Sequence, residues 1–303
     1  MTLSQPQFLD ITRFEVLSDS EPFLKRCAQQ NFVTQNIMQA ESLARNSIVF
    51  SFTDKAAKKT FELAKLTTQK RCIFCPVHVF EASIDNALYG LEQLNKSNIA
   101  HALTEQRKMV ELVNCKTPLK LSGPMTHSNV TLSKDAVPYA VFEEDLQDDF
   151  VHSVAELFEV HFAHMKPQDP CPFYVDGDFY VAGILTVCRK TENVDRALKN
   201  SLDRLLEEVA SEKALLKISG NTVTSFKVGA RDYIDLIQNA AGPRAAKLTE
   251  FAIGVNQAIA PLIDFKVNSQ MNEGISGVHV AVGDGTTGYH IDFLCPGVVV
   301  QSS

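Results

Sequence analysis

The chain has 303 residues, 45% of them hydrophobic and 21% charged, with 29 Lys+Arg against 36 Asp+Glu and a net charge of −7. That length suits two domains of roughly 150 residues each, and the composition excludes a mainly disordered, collagenous or coiled-coil protein. The acidic balance, a sequence pI near 5.6 and the lack of a basic run argue against a nucleic-acid partner.

The opening Met1-Thr2-Leu3-Ser4-Gln5-Pro6 has no positive region followed by an apolar run, so no secretory signal is expected. The apolar stretch Phe179 to Cys188 is far too short to span a membrane and reads as a buried strand. Seven cysteines (Cys27, Cys72, Cys75, Cys115, Cys171, Cys188 and Cys295) are odd in number and widely spaced, which points to reduced thiols and a cytoplasmic setting.

Apolar spacing predicts a helical stretch within Glu21 to Arg45, a strand over Ser47 to Thr53 and a helix over Asp54 to Gln69 capped by Asp54. A strand-like run follows over Arg71 to Phe80, then helices over Glu81 to Leu94 and Leu103 to Val113. This alternation predicts an α/β layer. The middle changes character, with short strands at Leu119 to Leu121, Asn129 to Leu132 and Tyr139 to Phe142. An acidic, then amphipathic stretch covers Glu143 to His164. Asp176-Gly177 predicts a hairpin within Phe173 to Val181, and Gly220-Asn221 a second one within Leu216 to Thr224, with a helix over Asn193 to Lys213 between them. Thr249 to Val300 is strand-rich. The expected fold is mixed α/β, with an N-terminal α/β domain over residues 1–125 and a strand-rich C-terminal domain over 126–303 that carries the site.

The chemistry sits in three strands of that last region. In Glu250-Phe251-Ala252-Ile253-Gly254-Val255-Asn256 the apolar residues share one face, and the other holds Glu250 beside small residues. Gly277-Val278-His279-Val280-Ala281-Val282 repeats the split with His279, and Tyr289-His290-Ile291-Asp292-Phe293 with His290 and Asp292. A simple hairpin about Gly283 to Gly288 would set Val282 opposite Tyr289 and His279 opposite Asp292. His279, His290, Asp292 and Glu250 then converge as a donor set for Fe(II), Zn or Mn. A one-residue slip would destroy that convergence. An ordinary polar strand face looking at solvent is the competing reading.

These segments, with Asn272-Glu273-Gly274-Ile275-Ser276 before the second, resemble the C-terminal metal domain of the thermophilic, leucyl-type metalloaminopeptidases, the aminopeptidase T family. Its superfamily includes the mononuclear-iron 2,5-dihydroxypyridine 5,6-dioxygenases. The resemblance covers about 240–296, reaches faintly back to Leu119-Lys120-Leu121-Ser122-Gly123, and leaves 1–115 unassigned. It implies that Glu250 corresponds to a bridging glutamate, His279 to the following histidine, and His290 and Asp292 to the closing His-x-Asp pair. The chain departs from both branches. Only 280–289 precede His-x-Asp where the aminopeptidases have a longer loop with a tyrosine, and Tyr289 is the one tyrosine in this shorter connection. Pro167-Gln168-Asp169 stands where they carry Pro-Ser-Gly-Glu. The dioxygenases have His at the place of Glu250 and no His at 279. His164, before Met165-Lys166-Pro167, falls near a proton-handling dioxygenase histidine and is the candidate catalytic base.

The first expectation is therefore a mononuclear Fe(II) oxygenase acting on a small aromatic or amino-acid-derived molecule. A Zn, Co or Mn aminopeptidase is the alternative, and a non-catalytic relative that binds a peptide or small molecule is the third. A small-molecule substrate is expected, with neither nucleic acid nor membrane as partner and a homo-oligomer as the candidate assembly. Three other signals carry less. His161 and His164, with Glu156 and Glu159, would share a helix, but Phe158 stands three before His161, so the Glu-x-x-His spacing of a di-iron bundle fails. Gly283 to Gly288 matches G-x-G-x-x-G but precedes a strand, so it offers no helix N-terminus to a pyrophosphate. Cys72-Ile73-Phe74-Cys75 lacks a second Cys pair and reads as buried free thiols.

Overall fold

The structure, a computed structural model, describes residues 10–189 and 195–303. The opening hexapeptide and the first residues of the expected Asn193 to Lys213 helix lie outside them. The first third alternates as its apolar pattern requires: β1 (Glu15–Ser18), α1 (Glu21–Gln29), β2 (Thr34–Asn36), β3 (Asn46–Phe50), α2 (Asp54–Leu66) and β4 (Arg71–Cys75). Three helices follow, α3 (Val77–Phe80), α4 (Ile84–Lys96) and α5 (Ile99–Asn114). The chain then turns to strands: β5 (Leu119–Gly123), β6 (Thr126–Leu132), β7 (Phe150–Ser153), β8 (Glu159–Ala163), β9 (Phe173–Val181) and β10 (Gly183–Val187). Helix α6 (Arg196–Ser211) leads to β11 (Ala214–Ser219), β12 (Thr222–Val228), β13 (Arg231–Asp232) and α7 (Ile234–Ala240). Four strands close the chain: β14 (Leu248–Gly254), β15 (Gly277–Val282), β16 (His290–Pro296) and β17 (Val299–Ser302).

These strands form three sheets, and the fold is mixed α/β. The first is parallel, in the order β2-β1-β3-β4-β7, so β7 joins it from beyond residue 125. The second is antiparallel, β10-β16-β15-β14-β8, and the third antiparallel, β13-β12-β11-β9-β6-β5-β17. The two antiparallel sheets face each other across one apolar core that includes Phe179, Phe226, Phe251 and Phe293. A second core joins the parallel sheet and its helices to Val255, Ile259, Met271 and Ile275 from the C-terminal part of the chain.

Several elements differ from expectation, each for a local reason. Helix α2 is capped by Thr53, whose Oγ1 accepts from Ala56 N at 3.2 Å, while Asp54 occupies the first turn, where its charge suits the helix dipole. Pro76 lacks the N–H a strand needs, so β4 stops at Cys75 and the rest of the expected run becomes α3. Tyr139 makes only an isolated bridge to His161. The expected hairpin at Asp176-Gly177 is instead one continuous strand. Strand β9 is bonded on both sides, to β6 and β11, and Gly177 lets it approach Ser128 more closely than a Cβ would permit. The Gly220-Asn221 hairpin forms, with Ser219 paired to Thr222 and both turn residues at positive φ. The helix supposed to carry His161 and His164 is absent. Phe158, Val160 and Phe162 are fully buried at a spacing of two, which makes this segment β8.

Candidate metal centre

Strand pairing puts the acidic and imidazole side chains on one face of the second sheet. Glu250 pairs with Ala281, which pairs with Asp292, and Ala252 pairs with His279. On the other side of β14, Ala252 pairs with His161 and Gly254 with Glu159. Paired residues and residues two apart share a face, so Glu159, His161, Glu250, His279, His290 and Asp292 all project the same way. The expected opposition of His279 and Asp292 does not occur, because His279 pairs with Leu294 and Val282 with Ile291. The register differs from expectation by two residues, and an even shift preserves the face.

The contacts are close. Glu250 reaches two imidazoles with its two oxygens, His279 Nε2 at 3.7 Å and His290 Nε2 at 3.5 Å. His279 Nε2 is also 3.6 Å from Glu159 Oε2, and His290 Nε2 is 3.1 Å from Asp292 Oδ1. His290 is oriented from behind: its Nδ1 lies 3.0 Å from the Gly283 carbonyl, to which it donates, and this turns Nε2 toward Asp292 and Glu250. His161 sits 3.1 Å from Glu159 Oε1 and stacks on the Tyr139 ring, whose hydroxyl donates to Glu156 at 3.0 Å.

Burial and charge act strongly here. Burial disfavours the ionised forms, yet contact with His279 and the charges of His161 and His290 hold the Glu250 carboxyl down at about 2. Burial likewise works against the imidazolium forms, but Glu159 takes His161 up to about 9, and Asp292 with Glu250 takes His290 up to about 10. His279 is raised too, again against burial, by Glu250 and Glu159. Glu273, also buried, is pushed well above the usual carboxylate range by burial and by the charges of Asp292, Glu159 and Glu250.

The residues fit a divalent cation. Ligand atoms of Glu159, Glu250 and His279 lie within 4.8 Å of one another. The 3.5–3.7 Å gaps between donors are close to the spacing of two ligands that each bond one ion at about 2.1 Å. Glu159 Oε2 and Asp292 Oδ2 are buried without a hydrogen-bond partner, an arrangement that asks for a cation. The cluster opens to a cavity of about 580 Å³ whose opposite wall comes from the parallel-sheet side, including Phe61, Phe74 and Phe80.

Of the residues singled out in the sequence, Glu250, His279, His290 and Asp292 are brought together. His164 is not: it lines a neighbouring cavity, while Ala163 and Met165 line this one. Glu159, His161 and Glu273 belong to the cluster and were missed. The signal lay in Glu159-Val160-His161, which alternates polar, apolar, polar, but a helical reading of the segment sent His161 to a different face. Behind the cavity wall, His78 links Ser51 to Asp54, and of the three only His78 and Asp54 line the cavity. Ser51 is fully buried and meets Nδ1 of His78, with Asp54 on Nε2, so it offers no accessible nucleophile. Gly283 to Gly288 is a turn in which Asp284 accepts from Thr286 N and Thr287 N, both at 2.7 Å. Cys72 and Cys75 are buried free thiols, and burial pushes Cys72 up to about 12.

Residues 12–303 match the family model described as crocagin biosynthetic protein CgnE/B. No curated protein matches the chain. Among solved structures, it is similar to wild-type AmpT from Thermus thermophilus at 13% identity and TM-score 0.49, covering 95% of this chain and 90% of that one. It is also similar to 2,5-dihydroxypyridine dioxygenase from Pseudomonas putida KT2440, at 11% identity and TM-score 0.48, covering 97% and 89%. Among the described residues, no helix is long and apolar enough to cross a membrane.

Proposed function

The chain belongs to the crocagin biosynthetic protein CgnE/B family, and from that premise we propose that it is a divalent-metal-dependent enzyme of a biosynthetic pathway. Its substrate would be a small molecule held in the cavity between the parallel sheet and the β14–β16 face. The observation that carries this reading is the pair of buried carboxylate oxygens that accept no hydrogen bond, Glu159 Oε2 and Asp292 Oδ2, beside His279 and His290.

Glu159, Glu250 and His279 would hold the ion, with His290 and Asp292 as a flanking pair that Glu250 joins to the first set. A divalent cation bound there would supply Lewis acidity and a water of lowered pKa. Glu250 presents one oxygen to each half of the cluster. Glu273 lines the same cavity, its carboxyl pushed up by burial and by the charges of Asp292, Glu159 and Glu250, and is the candidate proton donor to a developing negative charge. Tyr139, stacked on His161, steadies the imidazole that holds Glu159. The donor set shifts the reading away from the Fe(II) oxygenase of the first expectation. Such sites combine two His with one carboxylate and leave open positions, whereas three carboxylates around two imidazoles suit activation of water. Hydrolysis of an amide or ester bond is accordingly the reaction we put first.

The test is metal content after anaerobic purification without chelator, followed by loading with Mn, Zn, Co or Fe(II). Wild type should retain at least one equivalent, Glu250→Gln and His279→Ala should lose it, and loaded protein should cleave a Leu-peptide without consuming oxygen. Fe(II)-specific oxygen uptake with no cleavage would restore the oxygenase. A second reading has its own support: three imidazoles shifted toward imidazolium face three carboxylates, so the cluster comes near electrical balance with no ion present. Failure to bind metal under every loading condition would make this protein a binding member of its pathway.

A further inference from the structure

A second cavity, of about 600 Å³, opens beside the first. His164 lines it, its neighbours Ala163 and Met165 line the first, and Asp284 lines both. Its wall carries two cations, Arg244 and Lys247, beside Asn221 and Thr222. Arg244 is only 7% exposed. One of its terminal nitrogens donates to the His164 carbonyl at 2.7 Å, but Nε is buried with no acceptor. Among the described residues no carboxylate lies within 4.0 Å of Arg244 or Lys247. A guanidinium drawn this far out of water normally has an anionic partner, and the described residues supply none.

Asp284, the acid in the shared wall, is engaged with its own turn, accepting from Thr286 N and Thr287 N at 2.7 Å and from Thr287 Oγ1 at 2.8 Å. Burial and the nearby Arg244 lower the pKa of His164, which leaves its imidazole neutral near pH 7. Two cations against one acid leave a single excess positive charge. That matches a carboxylate better than a phosphate dianion, and a guanidinium fork suits two carboxylate oxygens. Pro167, Pro243 and Leu248 give the same cavity apolar wall for the body of the ligand.

We propose that this second cavity is the subsite for a carboxylate group of the ligand, with Arg244 and Lys247 as its partners. Because Asp284 and the 163–165 segment separate the cavities, the carboxylate would be anchored next to the carboxylate–histidine cluster. The proposal does not depend on the cluster holding a metal.

Calorimetric or ligand-observed NMR titration of the full chain tests it, with N-acetyl-phenylalanine, its carboxamide and inorganic phosphate as probes. The acid should bind saturably, and the amide and phosphate at least tenfold more weakly. Arg244→Lys and Lys247→Gln should each weaken the acid at least fivefold, while Lys25→Gln, which removes an exposed cation that lines neither cavity, leaves it unchanged. Lys247 is exposed, so Lys247→Gln keeps the test decisive if Arg244→Lys fails to fold. No saturable binding of the acid, equal binding of acid and amide, tighter binding of phosphate, wild-type affinity in folded Lys247→Gln, or an equal loss of binding in Lys25→Gln would each overturn the assignment.

Discussion

Each imidazole in the cluster is held by carboxylates against the cost of burial, and that balance has a pH signature. His161 and His290 are raised to about 9 and about 10. A raised histidine contributes stability that is complete below its unfolded pKa of about 6.5 and is lost as pH rises through the folded value. Glu250, held at about 2, contributes the opposite way: its share is present above about 4.5 and lost as pH falls through 2. Chelator-treated protein should therefore have its highest urea midpoint near pH 5–6.5 and decline toward pH 10, and His290→Gln should flatten the decline. A midpoint that stays level from pH 6.5 to 10 would mean the imidazoles are not paired as described. The thiols give a second check. Cys27 and Cys72 are buried and pushed up to about 12, and Cys295 is buried and raised as well, whereas Cys115 is exposed. At pH 8 a thiol reagent should label Cys115 readily in native protein and reach the buried ones only after denaturant, because the thiolate is the reactive form.

At the scale of the element, two glycines permit close approaches between strands and neighbouring backbone, one of them in the strand that carries Glu250. A Cβ on Gly254, in β14, would stand 2.1 Å from the Ile275 carbonyl. A Cβ on Gly177, in β9, would meet the His127 carbonyl at 2.5 Å, at a φ of +134° that disfavours any side chain. Gly254→Ala and Gly177→Ala should each cost about 2–4 kcal/mol in urea unfolding, in the range of overpacking plus backbone strain. The Gly254 variant should also lose metal affinity, since β14 carries Glu250, while Gly177→Ala should not. Thr53→Ala removes the α2 cap and should cost about 1 kcal/mol, leaving the site unaffected.

Across the whole molecule the two ends of the chain share one interior. Asn268 takes the backbone of Thr186 on both sides, at 3.0 Å and 2.8 Å, and its own carbonyl accepts from Asn86 of α4 at 2.7 Å. Asn256 donates to Ser97 at 2.7 Å. Together with the core that mixes Phe23 and Leu91 with Val255 and Met271, these bonds tie the parallel sheet to the site-bearing region. A fragment of residues 1–125 lacks both β7 and that C-terminal packing, so it should remain unfolded by circular dichroism. The full chain should unfold in one transition that coincides by far-UV circular dichroism and tyrosine fluorescence. Asn268→Ala would orphan buried backbone groups and should cost about 2–3 kcal/mol.

Alternation of polar and apolar residues is a local property, and it sufficed to place Glu250, His279, His290 and Asp292 on one face. The pattern survived a register two residues away from the expected one, because only an odd shift turns a strand over. The α/β character of the first third was legible for the same reason: helix and strand periods differ within a single turn or pair of residues. What the chain could not show locally was which strands would lie side by side. Glu159 and His161 join the site only because β8 pairs with β14, a contact across about ninety residues. Gly177 stays extended, against its turn-forming preference, only because β6 and β11 bond β9 on both sides. His164 left the cluster because it follows Ala163 by one residue and so falls on the face opposite Glu159, His161 and Ala163, even though its N–H still bonds the Thr249 carbonyl. Tertiary structure decided these points because long-range pairing and burial outweigh the small free energies by which one residue prefers a strand, a turn or a helix.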